Sequence, residues 1–483
     1  MSWEQFYSKV KYLKNIEASQ MLLAWDQETK MPPAAGAHRA EMQAALSACY
    51  YKELMSEEVD ELLDKALDSE LSTEQRFNAL DWQKQRSKVL KLPKELFVKI
   101  GKEASLSQQA WSKARSNKDP SLYIPHLQMM VELQREKASC IDPSIPIYDV
   151  LLDQYEPGVS SGKVMSLLDE LQKQTTPLLA EFSSASIPIP SISEEAQESF
   201  CRKIIKAIGF DMQRGRLDVS EHPFTEGLSS QDVRLTTRFK KEDFQDAIFS
   251  TLHEGGHGMY EQGLSYKDYG LAYGRAASLG VHESQSRLWE NCVGRSKSFW
   301  KWALPIFNAE AATNFDFESF YKMINQVKAS NIRVDADEVS YNLHICLRTK
   351  LERELLLGNI STKELEGEWN RLSKEYLGIT PTSANEGFMQ DVHWSVGLFG
   401  YFPTYSIGNI FSAQICANLK KQNILNESSW ENGDFSSLQS WLQKNIYSHG
   451  ARYSSEELSQ KLFGTGLEVN SFVHYLNEKY AMG

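Results

Sequence analysis

His253-Glu254-Gly255-Gly256-His257 spells H-E-x-x-H in a tract between Pro223 and Pro305 that contains no proline and reads as helix. Four residues of helix advance about 6 Å and return to nearly the same face, so both imidazoles can converge on one ion. They supply half of a tetrahedral zinc site. Glu254, one position past the first histidine, can lie beside the metal and take a proton from water without being a ligand itself. The same letters also describe a helix with two surface histidines, and a chain of 483 residues with ten histidines can produce them by accident. The paired glycines argue against that reading, because each costs a helix about 1 kcal/mol relative to alanine. What they give is room beside the ligands for another backbone or for a substrate. The pattern is that of a metallohydrolase.

Around this motif the chain reads as mostly helix. No proline occurs between Pro223 and Pro305, nor again until Pro381, and the intervening tracts follow a 3.6-residue period. Alternating patterns are few and short, the best being Val233 to Phe239. Breaks fall at Met31 to Gly36, Ile141 to Ile147 and Ser183 to Ser193, where proline and serine interrupt the helical pattern. The expected fold class is all-α with minor short β. It forms one large helical unit over residues 1–483, with N-terminal helices to about residue 190 and a catalytic half from about 191 carrying the metal motif at 253–283.

Composition narrows the partners. Fifty-two lysines and arginines against 64 acids leave a formal charge of −12, and no basic cluster offers a path for phosphates, which argues against nucleic acid. Cys49, Cys140, Cys201, Cys292, Cys346 and Cys416 are scattered without a C-x-x-C pair, which suits reduced thiols in a cytoplasmic protein. No stretch reaches the 18 or so apolar residues of a membrane span. Trp3, Phe6, Tyr7, Val10, Leu13 and Ile16 recur at helical spacing, so the first element reads as an amphipathic helix and not as an export signal.

Two histidines leave the ion short of a protein ligand. A metzincin needs a histidine six residues after His257, where Gly263 stands. Glu261 shares the helical face but lies about 12 Å along the axis from His253, too far to join the same ion, so it reads as an outer partner or a solvated acid. Leu279 to Asn291 (LGVHESQSRLWEN) has an apolar stripe suited to a return helix, and Glu283 within it is 26 residues past His257. That spacing allows the first helix to end, a loop to turn, and a carboxylate to come back. An ordinary surface glutamate fits the spacing too. His282 is about 100° away around the helix, so one of the pair faces the metal.

Several ordered motifs accompany these residues: WDQET with MPP from Trp25 to Pro33, DQYEPG at Asp153 to Gly158, HPF at His222 to Phe224, and DVRLT from Asp232. HESQ follows at His282 to Gln285, then IRVDAD at Ile332 to Asp337, GFMQDVHW at Gly387 to Trp394 and GYFPTY at Gly400 to Tyr405. Together they resemble the carboxypeptidase Taq family of metallocarboxypeptidases, over most of the chain apart from about 56–117 and the tail beyond Lys421. The resemblance implies Glu283 as third ligand beside His253 and His257. It also implies a helical body with a deep substrate groove, similar to neurolysin and angiotensin-converting enzyme, and a homodimer.

Such an enzyme would release C-terminal residues from peptides using zinc, or cobalt on the same nitrogen and oxygen donors, with Glu254 as general base. His393 or Tyr401 would donate to the oxyanion. The terminal carboxylate calls for an arginine fork, Arg333 first and Arg234 second, each of which could instead pair with the aspartates of its own motif. Competing readings are a dipeptidyl carboxypeptidase or oligoendopeptidase of the same helical type, and a silent peptide-binding scaffold.

Overall fold

A computed structural model of the chain describes residues 2–422, 424 and 427–481. Met1 and Gly483, the ends of the expected unit, lie outside the described residues, as do 423, 425, 426 and 482. Helix dominates. The first helix, α1 (Ser2–Thr29), buries Phe6, Val10, Leu13 and Ile16 of the stripe read from its period, with Trp3 and Tyr7 partly buried beside them, and also buries Trp25. It stops just before MPPAAG. IDPSIPI separates the helix ending at Ile141 from the one starting at Ile147. SSASIPIPSIS separates α2 (Ser161–Phe182) from α3 (Glu194–Ala207), which Ser193 caps by accepting from the Ala196 amide. None of the helices is long and apolar enough to cross a membrane, among the described residues.

The strand expected at Val233 to Phe239 is Asp232–Thr237, the middle of a small sheet. It is β3, parallel to β1 (Gly215–Val219) and antiparallel to β2 (Thr225–Ser229), with Leu217 and Thr225 both opposite Leu235. Residues 238 and 239 leave the ladder because the chain is already turning into α4 (Phe244–Gly263), capped by the Asp243 carboxylate on the Gln245 and Asp246 amides. Val233 and Leu235 are fully buried, and Leu235 packs beside Gly258, so that face of the sheet lies on α4.

Beyond a loop comes α5 (Leu279–Arg287), running directly into a π-helical turn over Leu288–Val293. Later helices are α6 (Glu338–Leu357), α7 (Pro403–Lys421) and α8 (Ser455–Phe463). The buried residues form two large cores. One joins α2, α6 and Leu127 to Ala138, so helices on both sides of residue 190 share it. The other surrounds α3, α4 and the apolar stripe of Leu288, Trp289 and Val293. Helix α7 divides them: Ile407 and Ile410 enter the first core, while Phe411, Ile415 and Leu419 enter the second. Ile407 and Ile410 lie on one side of the helix, and Phe411, Ile415 and Leu419, each four residues from the next, run along the adjoining side.

Glycine sets how closely the central helices approach. A methyl at Gly256 of α4 would lie 2.7 Å from Ser286 Cα, against the backbone of α5, and one at Gly408 of α7 would lie 2.6 Å from Glu283 Cγ. The room expected beside the histidines is therefore filled by another backbone. Gly256→Ala should lower unfolding stability by about 2 kcal/mol in a denaturant titration, because overpacking against backbone, about 3 kcal/mol, exceeds the ~1 kcal/mol of helix propensity gained. An unchanged or raised midpoint would contradict this packing.

Candidate active site

Helices α4 and α5, locked together through Gly256, bring His253, His257 and Glu283 to one point. Glu283 Oε2 lies 3.6 Å from His253 Nε2 and 3.4 Å from His257 Nε2, and the three candidate donor atoms all fall within 4.8 Å of one another. Atoms bound at about 2.0–2.1 Å to one tetrahedral ion are themselves about 3.3–3.4 Å apart. The two carboxylate–imidazole spacings and the donor set, two imidazole nitrogens and a carboxylate oxygen, thus fit a divalent ion of the zinc type.

Two residues that sequence reasoning missed hold these groups in place. Glu290 accepts from or shares a proton with His253 Nδ1 at 2.8 Å, turning Nε2 toward Glu283. Arg287 donates from Nε to Glu283 Oε1 at 2.7 Å and from a terminal nitrogen to Glu290 at 3.2 Å. Burial would raise both carboxyls, but Arg287 and His253 outweigh it: Glu283 is held well below the usual range and Glu290 is brought to about 2. Burial lowers His257 to about 3, with His282 adding to the effect, so its ring is neutral and fit to ligate. The one available signal was acidic and basic residues four and seven positions past Glu283, on its own helical face.

His282 turns away from Glu283, as the 100° offset requires. It bonds Glu261 at 2.8 Å and stacks on the His257 ring at 4.4 Å, so Glu261 is an outer partner. Glu254 is buried on the same helix, and Thr225 of β2 donates to its Oε2 at 2.6 Å. Burial raises its carboxyl above the ordinary value, with His253 and Thr225 opposing.

The facing wall comes from the other core. Arg333 donates to Asp391 Oδ1 at 2.9 and 2.8 Å and to the Tyr341 hydroxyl at 2.9 Å, and Arg348 donates to Asp391 Oδ2 at 2.6 Å. The partner is therefore the aspartate of QDVHW and not one of its own motif. Asp337 instead caps α6, accepting from the Val339 and Ser340 amides. Two guanidiniums share one carboxylate, and Arg348 Nη2 is buried without a hydrogen-bond partner among the described residues. His393 meets the Tyr405 hydroxyl at 3.2 Å, and its ring lies 5.3 Å from that of Tyr401. Arg287 lies 4.4 Å over the Tyr341 ring, and the charge of Glu283 acts on both Tyr401 and Tyr405, so wall and metal cluster are contiguous. Buried Glu352 ties this wall together by accepting from Tyr148, Trp394 Nε1 and the Gly400 amide. Trp394 is thereby a core residue.

Arg234 is not brought to this point. Alternation along β3 places it opposite Val233 and Leu235, on the sheet face away from α4, where it pairs with Asp232 at 2.9 Å and covers the Trp25 ring at 4.5 Å.

The same arrangement of chain recurs in proteins of known class. Residues 5–480 match the carboxypeptidase Taq (M32) metallopeptidase family. Thermostable carboxypeptidase 1 of Thermus thermophilus is 36% identical, over 99% of this chain and 97% of that protein. Carboxypeptidase 1 of Bacillus subtilis is 31% identical, over 99% and 98%. The M32 carboxypeptidase structure from Deinococcus radiodurans superposes with a TM-score of 0.96 at 34% identity, covering 100% of this chain and 99% of that one. The chain belongs to the carboxypeptidase Taq (M32) family. It is a metallocarboxypeptidase, a hydrolase that depends on a divalent metal and acts on peptides.

The site titrates in a testable way. Burial pushes His393 from 6.5 down to about 4, with Asp391 opposing and Arg333 and Arg348 adding to it. The unfolded chain takes up this proton near pH 6.5 and the folded chain only near 4. Stability present above pH 6.5 is therefore lost as pH falls through that window, by on the order of 3 kcal/mol. Unfolding free energies at about pH 7.5 and 4.5 should fall further for the native chain than for His393→Gln. Equal losses would contradict a buried neutral imidazole.

Proposed function

We propose that His253, His257 and Glu283 hold the metal, that Glu254 is the general base, and that residues 1–483 act as one catalytic unit. The observation that carries this is the meeting of Glu283 Oε2 with both imidazoles at 3.4 and 3.6 Å, with Glu254 buried beside them. Zinc is the ion best matched to this donor set, and cobalt the alternative on the same ligands. When bound, the ion supplies Lewis-acid chemistry, polarising a carbonyl and making water nucleophilic near neutral pH.

Glu254 accepts the proton of the attacking water on Oε1, since Oε2 is engaged by Thr225, and returns it to the leaving amine. Its raised pKa brings it closer to the working pH, which favours both halves of that transfer. Tyr401 remains a phenol because burial raises its pKa, and His393 remains a neutral imidazole; each can donate one hydrogen bond to the oxyanion. The free C-terminus of the peptide is drawn to Arg333, whose cluster with Arg348 and Asp391 carries one net positive charge. Recognition of that carboxylate confines cleavage to the last peptide bond, at the floor of a substrate groove. Scattered thiols with no disulfide among the described residues support a reducing, cytoplasmic setting, and the family resemblance supports a homodimer.

Release of single C-terminal residues from a short peptide should stop with chelator and return with zinc or cobalt. Glu254→Gln should retain the ion while losing at least about a thousandfold in kcat. Arg333→Gln should raise KM for the free acid at least tenfold while leaving the poor cleavage of an amidated peptide unchanged, at a cost of about 1.4 kcal/mol or more. Equal turnover of acid and amide by the native enzyme would overturn terminal recognition, and an active Glu254→Gln would remove that residue from the mechanism.

A further inference from the structure

Helix α5 delivers Glu283, and its sideways position is set by glycine contacts with its neighbours: a methyl at Gly280 would come 2.5 Å from Ile407 Cγ2 of α7, much as one at Gly408 would strike Glu283. Such contacts leave sliding along the axis less well defined. Each residue of slip moves a helix about 1.5 Å, enough to withdraw a carboxylate from a ligand position. An end stop is needed, and the N-terminus of α5 has one that comes from 124 residues away in the chain.

Glu156, from DQYEPG, is completely buried, with no cation beside it among the described residues. Its Oε1 accepts from the Gly280 amide at 2.5 Å and its Oε2 from the Ser455 hydroxyl of α8 at 3.0 Å, and the Ser278 hydroxyl also donates to it. The adjacent Tyr155 carbonyl accepts from the Leu279 amide at 3.0 Å. Within the helix, Ser278 takes the remaining amides, its hydroxyl accepting from Val281 and its carbonyl from His282. The first four amides of α5 are thus all satisfied, two of them by the DQYEPG segment. Glycine at 280 is what allows the approach, since a methyl there would lie 2.6 Å from Glu156 Oε1. Tyr155 also meets the Tyr401 ring at 5.2 Å, so the same segment touches the facing wall.

We infer that Glu156 is a positioning residue that fixes the height of α5, and through it the reach of Glu283 to the metal; this rests on Glu283 being a ligand. Gly280 and Glu283 are three residues apart, one turn on the same side of the helix, so the capped amide and the ligand move together. A glutamate reaches the Gly280 amide, an aspartate is one methylene too short, and a glutamine keeps the acceptor oxygen in place.

The test is metal affinity, measured on folded apoprotein by competition between zinc and a chromogenic chelator. Glu156→Asp should bind zinc at least about tenfold more weakly, the scale expected when the support of a ligand is removed. Glu156→Gln should stay within about threefold of the native chain. Glu352→Asp shortens a buried carboxylate that serves the opposite wall, so it should lower thermal stability and leave zinc affinity within about twofold. Native affinity in Glu156→Asp, or equal weakening in the Asp and Gln variants, overturns the inference. If Glu156→Asp does not fold, Gly280→Ala tests the same contact from the other side, and native affinity there overturns the inference equally. Glu283→Gln separates this from the larger reading: if it binds zinc like the native chain, the assignment of the third ligand has failed. If it loses zinc while Glu156→Asp does not, only the role of Glu156 has failed.

Discussion

Everything at this centre depends on bringing the Glu283 carboxylate, buried and already engaged by Arg287, to within 3.6 Å of two imidazoles. Burying charge is expensive unless it is paired. Here Arg287 pairs with both Glu283 and Glu290, and His253 and Arg295 add to the pull on Glu290. Arg287 holds Oε1 of Glu283 and leaves Oε2, which accepts from the Ser286 hydroxyl at 3.1 Å, facing both imidazoles, and Glu290 fixes which nitrogen of His253 is presented.

Packing makes the electrostatics possible. Helices α4, α5 and α7 approach so closely that glycine is required at 256, 280 and 408, and each of these positions abuts the helix or the side chain that carries the third ligand. Because α7 faces one core with Ile407 and Ile410 and the other with Phe411 and Ile415, the seam between the cores runs beside the site. The histidine and carboxylate cluster arises from one core and the arginine and tyrosine wall from the other. A peptide bound as proposed would touch both.

What could be read in advance follows from the range of the interactions. The helix carrying H-E-x-x-H and the close approach at its glycines are local, four or five residues wide, and were legible. The helical breaks were legible as well, since proline acts on its own neighbourhood. Glu283 stood out by spacing only as one of two readings, and the family motifs favoured it. Glu290 was missed because an acid seven residues past Glu283 reads equally well as a solvated one, and the histidine it holds lies 37 residues back in the chain. The Arg333 partner was hidden for a different reason: Asp335 and Asp337 stand closest in sequence, but Asp337 is committed to a helix cap and the actual partner is 58 residues on. Arg234 looked equivalent to Arg333 as a motif arginine, and strand alternation alone sends it to the far face of the sheet.

The most direct measurement is anomalous diffraction from crystals of the zinc- or cobalt-loaded protein. One strong peak is predicted, about 2 Å from Nε2 of His253, Nε2 of His257 and a carboxylate oxygen of Glu283, with Arg287 still on the other oxygen. A peak elsewhere, or an ion on the two histidines with Glu283 turned away, would contradict the account.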